Sequence, residues 1–424
     1  MRIIIAVCLA MAAPLSAVDW QSPQSVSQAA AEVSPSLLAL KSQIAAAHER
    51  VTTAGSLPNP MLMAGVQDQQ IDLSIDRMMT MYMVGASQTL TRKSRRDAQR
   101  AAAELDVERL ERQYEARRAE IERDVRLAYY DAAAAQNQIN ATEEIERLTT
   151  TAVEAAKIRY ETGAVSQSDL VRAMLQSSDV RHQLVALRSR RQQAVAKLVA
   201  LLNLSPETQP PAFVLASEMH HEHDGQREPA TLPDTTPAIA ELEAEVQHAD
   251  QEIRLAKLAR RPDIDVEASY GVRPYQKDMF SVVGRIELPY RKSTIVEPRI
   301  REAIALREAA LQQIAVLRQQ LRQDLGVAAA LRSEADEQIA LHVEQLVPQA
   351  KLGFESSLTS YQNGKTSFDS VLASLQTYLS LNVDYYEFLR QQRQAETDIE
   401  AIRKGARSGA STAMSGPMNG MRSR

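Results

Sequence analysis

The residues of this chain best suited to chemistry are soft and borderline metal donors. His220, His221 and His223 stand with Glu222 and Asp224 in one short run, and neutral imidazoles beside carboxylates suit zinc, copper or nickel. The run falls in a Pro-rich polar stretch, where histidines also occur without any ligand role. A second group is Met61, Met63, Met78, Met79, Met81 and Met83. Thioethers favour copper(I) or silver. Met61 and Met63, if they shared a wall with Asp265 and Glu267, would make a track for a soft metal; apolar packing is the competing use of such methionines. Catalytic arrangements are missing from the sequence: there is no Gly-rich phosphate loop, no nucleophile elbow and no His-Glu-x-x-His helix. The chain is therefore read as a non-enzyme that needs no cofactor.

The elements that would hold these donors repeat. Tyr160-Glu-Thr-Gly163-Ala164-Val165-Ser166 and Tyr361-Gln-Asn-Gly364-Lys365-Thr366-Ser367 are 201 positions apart. Pro58-Asn59-Pro60 has a counterpart in Arg261-Pro262-Asp263, and Met83-Val84-Gly85 in Val282-Val283-Gly284. Two copies of one unit are best read as one architecture. Each unit reads as a helix, two strands, a very long helix, a tight turn and a returning helix.

In the first unit the long helix is expected over 92–161, with a seam at Leu105, Leu110, Tyr114, Ile121, Val125 and Ala128. At 1.5 Å per residue it would reach about 105 Å. A rod of that length needs partners along its stripe. Gly163 and Gly364 are suited to stopping the descending helices in a left-handed turn, and Ser166 and Ser367 to starting the returning ones. The returns are expected over 166–203 with 237–260, and over 367–403 with an N-terminal helix over 25–54. The second long helix is expected over 298–362.

Strand patterns are clearest in the second unit. Ile264, Val266, Ala268, Tyr270 and Val272 alternate with Asp263, Asp265, Glu267, Ser269 and Gly271, a period of two that puts the apolar side chains on one face. Phe280, Val282, Gly284, Ile286 and Leu288 alternate with Ser281, Val283, Arg285 and Glu287. One face could meet lipid while acids line water, or the hairpin could pack on helices in a soluble domain. In the first unit Leu62, Ala64 and Val66 alternate, as do Ile71, Leu73 and Ile75, but 79–90 has no clean polar face and no orientation follows. Four strands per chain cannot close a barrel alone, so a barrel requires an oligomer.

The ends indicate export. Arg2, the apolar run Ile3 to Ala13, Pro14 and then Leu15-Ser16-Ala17 read as a signal peptide over 1–17. Cleavage after Ala17 would remove Cys8, the single cysteine, and with it any disulfide framework. No later stretch approaches the ~20 apolar residues of a spanning helix; an exported chain without one is soluble or crosses the outer membrane as a closed barrel. The formal charge of -5 is mild, and the bases lie among acids along helical faces, so no nucleic-acid partner is expected.

Taken together, Ser56-Leu57-Pro58-Asn59-Pro60, Val84-Gly85-Ala86-Ser87-Gln88 and the paired Tyr-x-x-Gly-x-x-Ser turns resemble the outer-membrane efflux proteins, the TolC family, nearest its heavy-metal, CzcC/CusC-like branch. The resemblance implies a mainly α fold with a small β part: a coiled-coil helical barrel, with four strands per chain contributing to a trimeric outer-membrane β-barrel. It implies residence in the outer membrane with an extension into the periplasm. The implied partners are two further copies of the chain, a periplasmic adaptor (membrane fusion) protein and an inner-membrane pump of the RND type. The segments would be efflux repeats over 18–203 and 237–404, an equatorial Pro/His-rich insert over 204–236 and a disordered tail over 405–424.

Position by position, the resemblance makes Gly163, Ala164, Val165 and Ser166, with Gly364, Lys365, Thr366 and Ser367, the periplasmic tip where an adaptor docks. It makes Asp169 and Tyr361 linking residues of a closing iris, with Asp369 a candidate ring acid. The family's basic partner two residues after Gly364 is replaced here by Thr366, with Lys365 beside it, and its ring acids fall at Ser370 and Ala373. A coiled-coil periplasmic adaptor and an outer-membrane component of type I protein secretion are the alternative readings.

Overall fold

The computed structural model describes residues 19–68, 80–208, 210, 213, 215, 231–273, 276–287, 290 and 292–406. Its elements follow the order α1 (Pro23–Val33), α2 (Pro35–Ala54), β1 (Met61–Gln67), β2 (Met81–Leu90), α3 (Lys93–Glu161), α4 (Gln167–Leu201), α5 (Pro237–Leu258), β3 (Ile264–Val272), β4 (Met279–Ile286), α6 (Glu297–Leu341), α7 (Val347–Gln362) and α8 (Phe368–Arg403). Hairpin, long helix, glycine turn and returning helix therefore occur twice, and the mainly helical fold with a small sheet is as expected. The alternation over 71–75 lies outside the described residues.

Two expected helices are broken, both at prolines. The N-terminal helix is α1 and α2, separated at Ser34, whose backbone is extended at φ -64 and ψ 120. Pro35 causes this, because its ring excludes the helical conformation from the preceding residue. The second long helix passes through a π-turn at His342–Leu346 before α7. Pro348 has no N–H and its ring would collide with the carbonyl four residues back. The wider turn relieves that collision, and the Val347 N–H donates to the His342 carbonyl, five residues back.

The chain forms two compact units. One comprises Ala39–Glu115 and Pro237–Gln319, and holds the sheet. Its strands are all antiparallel in the order β1-β2-β3-β4, so the two hairpins join through β2 and β3, which pair Tyr82 with Val272 and Leu90 with Ile264. Beside the sheet, Ala47 of α2 is buried with Val107 and Leu110 of α3, and Ile44 and Val51 pack against them. Arg95 pairs with Asp263 at 2.6 Å and Arg260 with Glu297 at 2.6 Å, tying the strand ends to helix starts. The Gln88 amide donates to the Pro58 carbonyl at 2.7 Å, so the two short motifs that flank the first hairpin touch.

The other unit comprises the chain up to Leu38, Ala116–Thr236 and Gln320 onward. Its α3 segment buries Ile121, Val125, Ala128 and the run Ala132 to Ala135; the small alanines let helices approach closely. Tyr129 is fully buried there, edge-on to Phe213 at 5.3 Å, and its hydroxyl donates to the Trp20 carbonyl at 2.9 Å. Arg390 of α8 holds Asp131 of α3 at 3.1 Å, and Arg126 holds Glu400 at 2.6 Å. Among the described residues, no helix is long and apolar enough to cross a membrane.

Candidate functional site: the sheet and the glycine turns

The sheet is inside out relative to a soluble domain. Register places Leu62, Ala64 and Val66 of β1 beside Ala86, Val84 and Tyr82 of β2, then Ala268, Tyr270 and Val272 of β3, then Val282 and Phe280 of β4. This face is apolar almost throughout, and it is exposed: Leu62 is 83 % accessible and Phe280 70 %. The opposite face carries Asp265, Glu267, Ser269, Ser281 and Arg285, and there Glu267 and Ser269 are buried. Glu267 pairs with Arg285 of the neighbouring strand. A large exposed apolar patch marks an interaction with protein or lipid. A row of polar side chains behind it is the arrangement of a strand wall between lipid and water. Among the described residues the two outer strands, β1 and β4, each have a neighbour on one side only, and unpaired edges of this kind are templates for pairing with another chain.

Register also orients β2. Tyr82, Val84 and Ala86 lie on the exposed apolar face, and Met81, Met83, Gly85, Ser87 and Thr89 on the other. Met61 and Met63 share that second face with Asp265 and Glu267. Met61 is 66 % exposed and Met63 half-buried. His220, His221 and His223, like Met78 and Met79, lie outside the described residues. Among the described residues, no group of three or more His, Cys, Asp or Glu could hold a metal ion.

The two glycine turns have matching backbones. Gly163 and Gly364 both have φ +71. The Gly163 N–H donates to the Tyr160 carbonyl at 2.9 Å and the Ala164 N–H to the Arg159 carbonyl at 2.8 Å; Gly364 and Lys365 repeat this onto Tyr361 and Ser360, both at 2.9 Å. These bonds satisfy helix-end carbonyls. Val165 and Thr366 follow, and Ser166 and Ser367 then take the extended conformation from which α4 and α8 start. The Ser166 N–H donates to the Asp169 carboxylate at 3.4 Å. The Ser367 hydroxyl meets that of Ser370 at 3.4 Å and makes no bond to the helix backbone.

The two linking candidates and the candidate ring acid are held within the chain in three different ways. Asp169 caps its own helix. Asp369 pairs with Arg172 at 2.6 Å, both well exposed. Tyr361 is 1 % exposed, packed edge-on to Phe368 at 5.1 Å, among Phe354, Val371, Ala152 and Ala156. Arg159 lies over its ring at 4.6 Å and donates to its carbonyl. The Tyr361 hydroxyl is buried without a partner. Burial pushes this phenol's pKa up, against the nearby Arg159 guanidinium and in the same direction as the Asp169 charge. Reading the sequence missed Arg159 and Arg172. Arg159 sits four residues before the turn glycine, where a basic side chain can reach freed carbonyls, and that spacing was the available signal.

Comparison with known proteins agrees with this geometry. The family model described as "Outer membrane efflux protein" matches residues 26–204. No curated protein matches the chain. Among solved structures, CusC is similar at a TM-score of 0.76 and 17 % identity, over 92 % of this chain and 93 % of that one. VceC from Vibrio cholerae is similar at 0.73 and 17 %, over 91 % and 96 %. The open state of MtrE from Neisseria gonorrhoeae is similar at 0.73 and 17 %, over 91 % and 89 %. Residues 26–204 thus match the outer membrane efflux protein family, and the chain along nearly all its length shares the fold of CusC, VceC and MtrE.

Proposed function

We propose that this chain is one subunit of a trimeric outer-membrane channel in a tripartite efflux system, a passive conduit that exports small solutes, heavy-metal cations among them. The observation that carries the reading is the four-stranded sheet with its apolar face exposed, its polar face turned the other way and two edges free. A four-stranded sheet cannot close on itself, whereas three copies supply twelve strands, enough for one barrel. Closure pairs β4 of one copy with β1 of the next and satisfies both edges. The long helices continue the passage into the periplasm, and the segments 18–203 and 237–404 act as two efflux repeats around the insert over 204–236, after a signal peptide over 1–17.

The turns at Gly163–Ser166 and Gly364–Ser367 are the surface for a periplasmic adaptor, and the pump behind it is an inner-membrane transporter of the RND type. Asp169, Tyr361 and Asp369 belong to the closing end of the conduit. The channel itself supplies no energy. It opens because a partner binds the splayed tip better than the closed one. The test is purification in detergent followed by reconstitution in planar lipid bilayers. A trimer with discrete conductance steps is expected. A monomer that leaves washed envelopes with salt and conducts nothing would overturn the reading.

A further inference from the structure

We propose that the polar face of the sheet carries a thioether site for a soft monovalent cation, copper(I) or silver(I), built from Met81, Met83 and Met279. The inference rests on the channel reading, because only a water-filled passage brings an ion to this face. Its basis is segregation. All five methionines in the described strands, Met61, Met63, Met81, Met83 and Met279, fall on the face opposite Leu62, Tyr82, Val84, Tyr270, Phe280 and Val282, a face they share with the exposed Val283. Apolar packing alone predicts no such segregation, since methionine would be as comfortable as leucine against lipid.

Register also brings the three methionines together. Met83 and Met279 are the partners of Gly271 on its two sides, so they flank it in one cross-strand row and stand two strand spacings apart, roughly 9.6 Å. Met81 fills the gap. Its sulfur lies 2.3 Å from where a Cβ on residue 271 would stand, with its Cγ at 2.9 Å, so the thioether rests on the bare Gly271 backbone between the other two. Only a glycine there leaves that room. Three neutral, polarisable thioethers on flexible stems are the donor set that copper(I) and silver(I) prefer over harder cations.

The test titrates the exported chain purified in detergent, which carries no thiol once the signal peptide with Cys8 is cleaved. Silver nitrate is added in chloride-free buffer and followed by calorimetry; copper(I) is added against a chromophoric chelator. The expected result is stoichiometric binding of either ion that disappears in the Met81→Leu/Met83→Leu/Met279→Leu variant, whose side chains are close in volume, and weakens in Gly271→Ala. Zinc and calcium should not bind at this site. No binding by the parent protein, or equal binding by the triple variant, would overturn the proposal. Bilayer conductance of the same samples separates the two readings: conductance without metal binding removes only the methionine site, and absence of conductance removes the channel.

Discussion

Val282 and Val283 are adjacent valines on an outer strand, 63 % and 44 % exposed, with opposite surroundings in the proposed barrel. Val282 lies mid-strand beside Ala268 on the apolar face, and Val283 faces Glu267. Val282→Arg therefore puts a guanidinium into lipid near its midplane, at a cost of about 2–4 kcal/mol per chain. That corresponds to roughly 30- to 1000-fold in the folding equilibrium of each subunit. Because the cost recurs in each of three copies, the trimer should lose about 6–12 kcal/mol. Val283→Arg places the same charge in water opposite a carboxylate, where the change should stay within about 0.5 kcal/mol. The assay is denaturant unfolding of trimers in lipid vesicles, together with the yield of trimer in outer-membrane fractions. Equal tolerance of the two arginines, or a larger penalty at Val283, would refute the assignment of the faces.

At the turns, Gly163→Ala and Gly364→Ala should each cost about 1–2 kcal/mol in thermal unfolding, because both residues sit at φ +71. The two should cost about the same, since the added Cβ at 163 meets nothing within 4 Å and that at 364 meets the Arg159 guanidinium at an ordinary contact distance of 3.4 Å. Arg159→Ala, which removes a charged donor from the Tyr361 carbonyl, should lower hydrogen-exchange protection at 361–365 by about 1.5–3 kcal/mol. Arg172→Ala breaks only an exposed pair and should cost no more than about 1 kcal/mol by the same measurement. Asp398 has its pKa raised by burial, and further by the charges of Asp124 and Asp324, against the opposing pull of Arg123. Its folded form therefore gains stability as pH falls toward that raised pKa, and at neutral pH the buried charge is a cost. Asp398→Asn should accordingly raise Tm at pH 7, and the gain should vanish as pH drops toward 3.8, the ordinary aspartate value.

Helix extents were legible because a stripe of apolar residues and a stop at glycine are local properties: α3 ends two residues before Gly163, and α7 two before Gly364. The breaks at Ser34 and at 342–346 were signalled by Pro35 and Pro348, and periodicity across them hid the signal, since the apolar stripe continues on both sides. The second hairpin could be oriented from alternation alone. β2 could not, because Met81 and Met83 are as apolar as Tyr82 and Val84, and only pairing with β3, more than 170 residues away, decides which side each occupies. The same pairing brought Met279 into register with Met83, which no spacing within either hairpin could indicate. At the turns the sequence showed the matching glycines. It could not show that Arg172 would meet Asp369 across 197 residues, because helix rotation is set by packing.

The central claim is that the sheet separates lipid from water. Its most direct measurement places single fluorescent labels, one at a time on introduced cysteines, along 264–272 and 279–286 in protein reconstituted in vesicles, and quenches them with a nitroxide lipid or with aqueous iodide. Strict alternation is expected, with lipid quenching at 264, 268, 270 and 282 and iodide quenching at 265, 269 and 283. Labels that respond to iodide at every position, or that show no period of two, would contradict it.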